Sequence, residues 1–451
     1  MKLKTILSGK VYEFRDLRDL FAKANEEKSG DTFLGIVAGS VSERIAARIV
    51  LSEITLGDVR ANPLIEDNVT SVIEAGINER IFGEVSGWTV GELRDWLLDH
   101  NTTPQMARRA SQGLNSEMIA AVTKLMTAMD LVYAARKLRV WATCATCVGL
   151  PGALSFRIQP NHPADDIPGI LASAAEGLSY ASGDACIGIN PVEDNVYNTK
   201  TLLEATWSFI QKWDIPTQNV VLSHITNQME AVKEGAPACM LFQSVAGTES
   251  TNEAFGVTEK ILDEAFELIS KYGVAKGPNL MYFETGQGSE QSLELNEGVD
   301  MVTLEARTYG FAKKYSPFMV NNVSGFIGPE TLYDGRQIIR ASLEDHFMGK
   351  LAGLPMGMAP CYTNHTRIEQ DDQEMATMLL TMAGANYFMG VPVGDDVMLA
   401  YQDTSYHDDA TLRELMSLKP APEFFKWAVE VGVLDENGRL TDRSGDASMF
   451  A

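Results

Sequence analysis

Cationic side chains are scarce in this chain: 37 Lys and Arg face 61 Asp and Glu, leaving a formal charge of −24. Such a surface repels phosphate backbones and anionic lipid, so neither nucleic acid nor a membrane is expected as a partner. Long apolar runs are missing too. Nothing approaches the roughly 20 residues that cross a bilayer, and the opening MKLKTILSGKVYEFRDL has too short an apolar stretch for a secretory signal. An intracellular, cytoplasmic protein is expected. Cysteine is sparse and odd in number, five over 451 residues, which excludes a disulfide framework. Cys144 and Cys147 form a lone C-x-x-C, read as reduced thiols in preference to a redox pair or half a zinc site. The six histidines include no pair three to five apart, so no protein-built metal site is expected. There is no internal repeat and no low-complexity linker. What remains, 45% hydrophobic and 22% charged, is the composition of a globular protein with room for two or three domains.

Helical signals dominate residues 1–140. In SEMIAAVTKLMTAMDLVYAARKL (116–138), Met118, Val122, Leu125, Met126 and Met129 share one helical face, with Asn115 or Ser116 as N-cap. Methionine at this spacing is core filler. From about residue 150 the pattern changes to eight short apolar runs: GALSFRI, ACIGIN, VVLSHI, CMLFQS, NLMYFE, FMVNNV, GLPMGMA and NYFMGV. Amphipathic stretches separate several of them, for example 165–178, capped by Asp165 or Asp166 with Pro168 in the first turn, and 261–272, closed by Gly273. The fold class predicted is α/β: a (β/α)8 TIM barrel over 141–400, a mostly helical N-terminal region over 1–140, and a C-terminal helical extension over 401–451. A doubly wound sheet is second, because no Gly-rich phosphate turn follows the first strand.

Barrel active sites lie at the carboxyl ends of the strands. Here those ends carry Arg157 and Gln159, Asn190, His224, Gln243 and Ser244, Glu284, and Asn321 and Asn322. One guanidinium, one carboxylate and several amides converging on one face suit a small polar substrate. Glu284 as base with Arg157 as electrostatic clamp is one reading; a non-catalytic assembly protein with merely structural strand ends is the other. Three further motifs are set aside. EDHFMG (344–349) is similar to a cobalamin-binding signature but falls in a predicted helix. ETGQGS (284–289) lacks the Walker lysine. Asp395–Asp396 reads as a solvated loop pair.

GLPGALSFRIQPN, ACIGINPVEDN, FQSVAGTE, YFETGQGS, FIGPETLY, RQIIRASLEDHFMGKL, CYTNH and GDDVMLAYQ together resemble the large subunit of ethanolamine ammonia-lyase, from the opening MKLKT to the closing GRLTDRSGD. The resemblance implies a radical lyase dependent on adenosylcobalamin, which converts a vicinal amino alcohol to an aldehyde and ammonia. It also implies a small-subunit partner, a hetero-oligomer containing several large subunits, and enclosure in a bacterial microcompartment. Carried over motif by motif, Arg157 and Asn190 hold the substrate hydroxyl, Glu284 contacts hydroxyl and amine, Gln159 contacts the amine, and Phe255 lines the site. Pro191, Gln243, Ser292 and Met398 face the cobalamin, with loop packing as the alternative for each. One position departs from the family pattern Gly-x-Asp-x-Cys-Tyr-Thr-Asn-His: Ala359 stands where the Asp meets the substrate ammonium. Plain ethanolamine is therefore expected to be a poor substrate, with a bulkier or N-substituted amino alcohol preferred. A different acidic residue in the pocket, or a paralogue without the activity, is the other outcome.

Overall fold

The structure, a computed structural model, describes residues 1–326 and 328–450. Its centre is an eight-stranded parallel sheet curled into a barrel: β1 (Ser155–Ile158), β2 (Cys186–Ile189), β3 (Asn219–Val221), β4 (Leu241–Ser244), β5 (Met281–Thr285), β6 (Met319–Asn322), β7 (Met356–Met358) and β8 (Tyr387–Gly390). Each falls within, or one residue outside, one of the eight apolar runs. Both faces of these strands are covered, so the runs are nearly continuously apolar instead of alternating. β8 pairs with β1, and ladders run from β1 to β3 and from β4 to β8. At the seam between β3 and β4, side-chain amides stand in for a ladder. Asn219 Oδ1 accepts from Cys239 N at 3.2 Å, and Gln228 exchanges two hydrogen bonds with the Phe242 backbone at 2.8 and 2.9 Å.

A helix follows each strand, among them Ile167–Ser179, capped by Asp166, and Glu259–Tyr272, capped by Thr258 and closed at Gly273. The helix after β8 is Tyr406–Met416, so the barrel's helical ring extends past residue 400. The rest of the C-terminal stretch lays Phe424, Trp427 and Phe450 against Ala174, Leu178 and Phe209.

Two details of the first 140 residues differ from the sequence reading. The chain opens with an antiparallel hairpin, Lys4–Leu7 with Lys10–Glu13, whose turn residues Ser8 and Gly9 have φ of 50° and 78°. The stretch 116–138 is two helices, Ser116–Lys124 and Ala128–Lys137. Thr127 starts the second with a reciprocal cap, its hydroxyl accepting from Asp130 N while Asp130 accepts from Thr127 N. The break shifts the helical phase, so Met118, Val122 and Met126 are buried while Met129 is 80% exposed. This region is fastened to the barrel's outer helices by buried ion pairs: Arg307 with Asp67 (2.8 Å) and Glu117 (2.7 Å), Lys124 with Asp300 (2.5 Å), and Lys28 with Glu344 (2.7 Å). Glu344 and His346 of the EDHFMG motif thus lie buried inside the helix Gly335–Ala352.

Candidate functional site

Parallel register stacks inward-pointing side chains in layers. Met389 on β8 is level with Arg157 on β1, and Ser244, Glu284 and Asn321 are level on β4, β5 and β6. Arg157 is fully buried and reaches across the barrel. Its Nη1 donates to Tyr282 Oη (2.6 Å), Glu284 Oε1 (2.9 Å) and Met389 Sδ (2.9 Å); its Nη2 donates to Gly188 O (3.3 Å) and Asn190 Oδ1 (3.1 Å). The path exists because residue 188 is glycine: a Cβ there would stand 2.5 Å from Arg157 Nε. Gly357 likewise leaves room for the Tyr387 ring, which a Cβ would overlap. Burial opposes the charge on Arg157, but the Tyr282 and Glu284 oxygens outweigh it and hold the guanidinium above its ordinary pKa. Glu284 Oε1 also accepts from Tyr282 Oη (2.6 Å) and Asn321 Nδ2 (3.4 Å). Burial pushes the Tyr282 phenol well above its usual pKa, so it serves as a neutral donor.

Beside this pair lies a second network that the sequence reading did not find. Asp396, read as solvated, is 3% exposed. Its Oδ2 accepts from Gln159 Nε2 (2.6 Å) and Asn161 Nδ2 (2.7 Å), and its Oδ1 from the backbone N–H of Met398 (3.0 Å) and Leu399 (2.7 Å). Gln159 Nε2 also donates to Tyr401 Oη at 2.7 Å. The loop after β8 folds Asp395–Asp396 back as a short ladder with Tyr401–Gln402, which carries Asp396 inward. A third carboxylate, Asp403, is buried next to it and is pushed up to about 8 by burial.

The predicted residues divide into two groups. Arg157, Gln159, Asn190, Glu284 and Asn321 belong to these inward networks. Asn322 does not: alternation along β6 turns it outward to Glu305 (3.2 Å), Tyr309 (3.3 Å) and Asp345 (2.9 Å). His224 caps the helix Ile225–Lys233 and touches Phe255 O at 3.1 Å, which leaves half-buried Phe255 at the carboxyl end of the barrel wall. Gln243 Oε1 accepts from Ile225 N (3.0 Å), Ser292 Oγ donates to Glu330 (3.0 Å), and Pro191 and Met398 are half-buried on the loops after β2 and β8. Ala359 is fully buried at the end of β7, among Val323, Cys361, Met389 and Tyr401, with the Phe326 ring 4.8 Å from Tyr401.

Loops at this mouth expose Val192, Leu293, Val393 and Val397. Among them stand neutral amides and hydroxyls, including Gln402, whose buried Oε1 has no partner among the described residues. Apolar contacts interleaved with amide donors and acceptors fit a corrin, which is a broad apolar-faced ring fringed with carboxamides. Such a macrocycle also carries ligands for its own metal. Among the described residues no three His, Cys, Asp or Glu side chains are grouped to hold a metal ion.

The family described as Ethanolamine ammonia lyase large subunit matches residues 12–443. The chain is 49% identical over 453 residues to the ethanolamine ammonia-lyase large subunit of Escherichia coli (strain K12), with 100% of each chain covered. The large subunits of Escherichia coli O157:H7 and Salmonella typhimurium (strain LT2) match to the same extent.

Proposed function

The chain belongs to the ethanolamine ammonia-lyase large-subunit family, and from that premise we propose how its site works. It is the catalytic subunit of an ammonia-lyase that converts a vicinal amino alcohol to an aldehyde and ammonia. The observation that carries the reading is the Arg157–Glu284 pair, sunk in the barrel mouth with Tyr282 and Asn190 fixing its geometry. Arg157 Nη2 and the Asn190 carboxamide hold the substrate oxygen. Glu284 takes the hydroxyl proton, and Tyr282 steadies the carboxylate through its 2.6 Å hydrogen bond. Gln159, itself held by Asp396 and Tyr401, orients the amine end, while Phe255 helps to exclude water.

Adenosylcobalamin, when bound, supplies the radical that removes hydrogen from the carbinol carbon. Pro191, Gln243, Ser292 and Met398 line the rim that would hold it, and the exposed valines at the mouth give its ring an apolar seat. A small subunit completes the assembly, in line with the large-subunit names of the relatives. No helix among the described residues is long and apolar enough to cross a membrane. A cytoplasmic setting, inside or outside a microcompartment, agrees with the acidic composition.

The test of the residue roles is Glu284→Gln in the enzyme reconstituted with small subunit and adenosylcobalamin. A general base contributes typically 10²–10⁴-fold, so kcat should fall at least a hundredfold with little change in KM. Unaltered turnover would remove Glu284 from the mechanism.

A further inference from the structure

Three carboxylates stand at the barrel mouth, and their hydrogen bonds separate them. Glu284 is neutralised by Arg157 at 2.9 Å. Asp396 has both oxygens saturated, two contacts on each, by Gln159, Asn161, Met398 and Leu399. Asp403 differs. Its Oδ1 accepts from Thr404 N at 2.8 Å, but its Oδ2 is buried and has no partner among the described residues. The backbone fixes where it sits. Gln402 exchanges hydrogen bonds with Tyr362 at 2.9 and 3.1 Å, which puts Asp403 opposite Cys361, two residues beyond Ala359. Asp403 N donates to Gly394 O at 3.0 Å and closes the other side.

A buried carboxyl oxygen without a hydrogen-bond partner is costly in either protonation state, and a ligand that supplies the partner relieves that cost. Resting on the lyase reading above, we infer that Asp403 is the carboxylate that receives the substrate's ammonium group. The buried apolar surroundings of Ala359, among Val323, Cys361, Met389 and Tyr401, agree with a small, unsubstituted ammonium, as in ethanolamine. The ionisable groups facing Asp403 are Arg157 from β1, Asp396 and Tyr401 from the hairpin after β8, Cys361 from the segment after β7, and Asp409 from the helix Tyr406–Met416, whose own carboxyl is pushed up by burial. Tyr401 and Cys361 are both held neutral by burial. The Asp403 carboxyl itself, raised to about 8, holds a proton at pH 7. Docking an ammonium there exchanges one cation for another: the carboxyl proton leaves to solvent, and the carboxylate pairs with the –NH3⁺ group.

The experiment uses the reconstituted complex with ethanolamine as substrate and ethylene glycol, which lacks the ammonium, as a competitive inhibitor. Wild-type KM for ethanolamine should fall roughly tenfold per pH unit from pH 6 toward 8, because one proton is released on binding. Asp403→Asn should raise KM at pH 8 on the order of a hundredfold, abolish that slope and leave the inhibition constant of ethylene glycol within a factor of two. A pH slope of the wild-type KM that persists unchanged in Asp403→Asn overturns the inference. So does an equal loss of affinity for glycol and ethanolamine, which marks a merely structural role, and so does an unchanged KM in the variant. If the wild-type complex releases no ammonia from any amino alcohol, the lyase reading falls and this inference with it. Turnover with Asp403-independent binding removes the inference alone.

Discussion

Glu284→Gln should destabilise the folded chain as well as slow it, and the size of the effect follows from the burial of its partner. Arg157 has no exposed surface, and Glu284 is its single carboxylate partner among the described ion pairs. Removing one partner of a buried pair costs about 3–5 kcal/mol, because the surviving charge is left uncompensated. The Glu284 side chain is 12% exposed, so water partly solvates the charge that its loss leaves behind. A cost around or just below the lower end of that range, about 2–4 kcal/mol, is therefore expected. With an unfolding entropy near 1 kcal/mol/K for a chain of this length, Tm should drop by about 2–4 °C. The double variant Arg157→Met, Glu284→Gln leaves no orphaned charge, and Met keeps the bulk of the stem against Met389. A double-mutant cycle by thermal denaturation of the cofactor-free chain should give a coupling of about 2 kcal/mol or more. Simple additivity, or a Glu284→Gln midpoint within half a degree of wild type, would refute the claim that this pair is the electrostatic centre of the barrel.

Three other outcomes follow from the same geometry. Gly188→Ala would put a Cβ 2.5 Å from Arg157 Nε. It should cost about 1–3 kcal/mol of stability and at least tenfold in kcat/KM; wild-type values for both would mean that the guanidinium path is not constrained. Burial, helped by the neighbouring Glu290 carboxyl, raises Glu305 to about 8 against the opposing hydrogen bonds from Tyr309, Thr285 and Asn322. The folded state then holds a proton that the unfolded state releases near 4.5, so this group's contribution to stability falls as pH rises from about 4.5 to 8. Glu305→Gln should therefore gain on wild type in thermal midpoints as pH is raised over that window, and parallel curves would contradict it. Finally, the isolated chain should bind adenosylcobalamin weakly and tightly only with the small subunit present; tight binding by the chain alone in equilibrium dialysis would overturn this.

The barrel was legible because fully buried parallel strands read as short apolar runs, and all eight fall at or within one residue of those runs. Arg157, Asn190 and Glu284 were legible for the same reason: polar residues closing apolar strands must point somewhere, and the fold sends those ends to one mouth. Tyr282 could have been added, since it lies two residues before Glu284 and shares its face. Period-two alternation would also have separated Asn321, which faces inward, from Asn322, which does not. Asp396 and Asp403 were hidden by their context. Adjacent acidic residues in a loop after the last strand look solvated, and only the short ladder of Asp395–Asp396 with Tyr401–Gln402 turns them into the pocket. The hairpin at residues 4–13 announced itself weakly, through one Ser-Gly pair. The split at 125–127 was signalled by a Thr-x-x-Asp cap that the methionine periodicity masked.

The central claim is that this chain, with its small subunit, performs cobalamin-dependent deamination of ethanolamine at the Arg157–Glu284 site. Its most direct test is to mix the reconstituted complex with ethanolamine and follow, on one sample, ammonia release and the cob(II)alamin–radical pair signal by electron paramagnetic resonance. The account predicts both, each lost when ethanolamine is omitted and ammonia release strongly suppressed in Glu284→Gln. Ammonia release without the radical pair, or neither signal from a fully loaded wild-type complex, would contradict it.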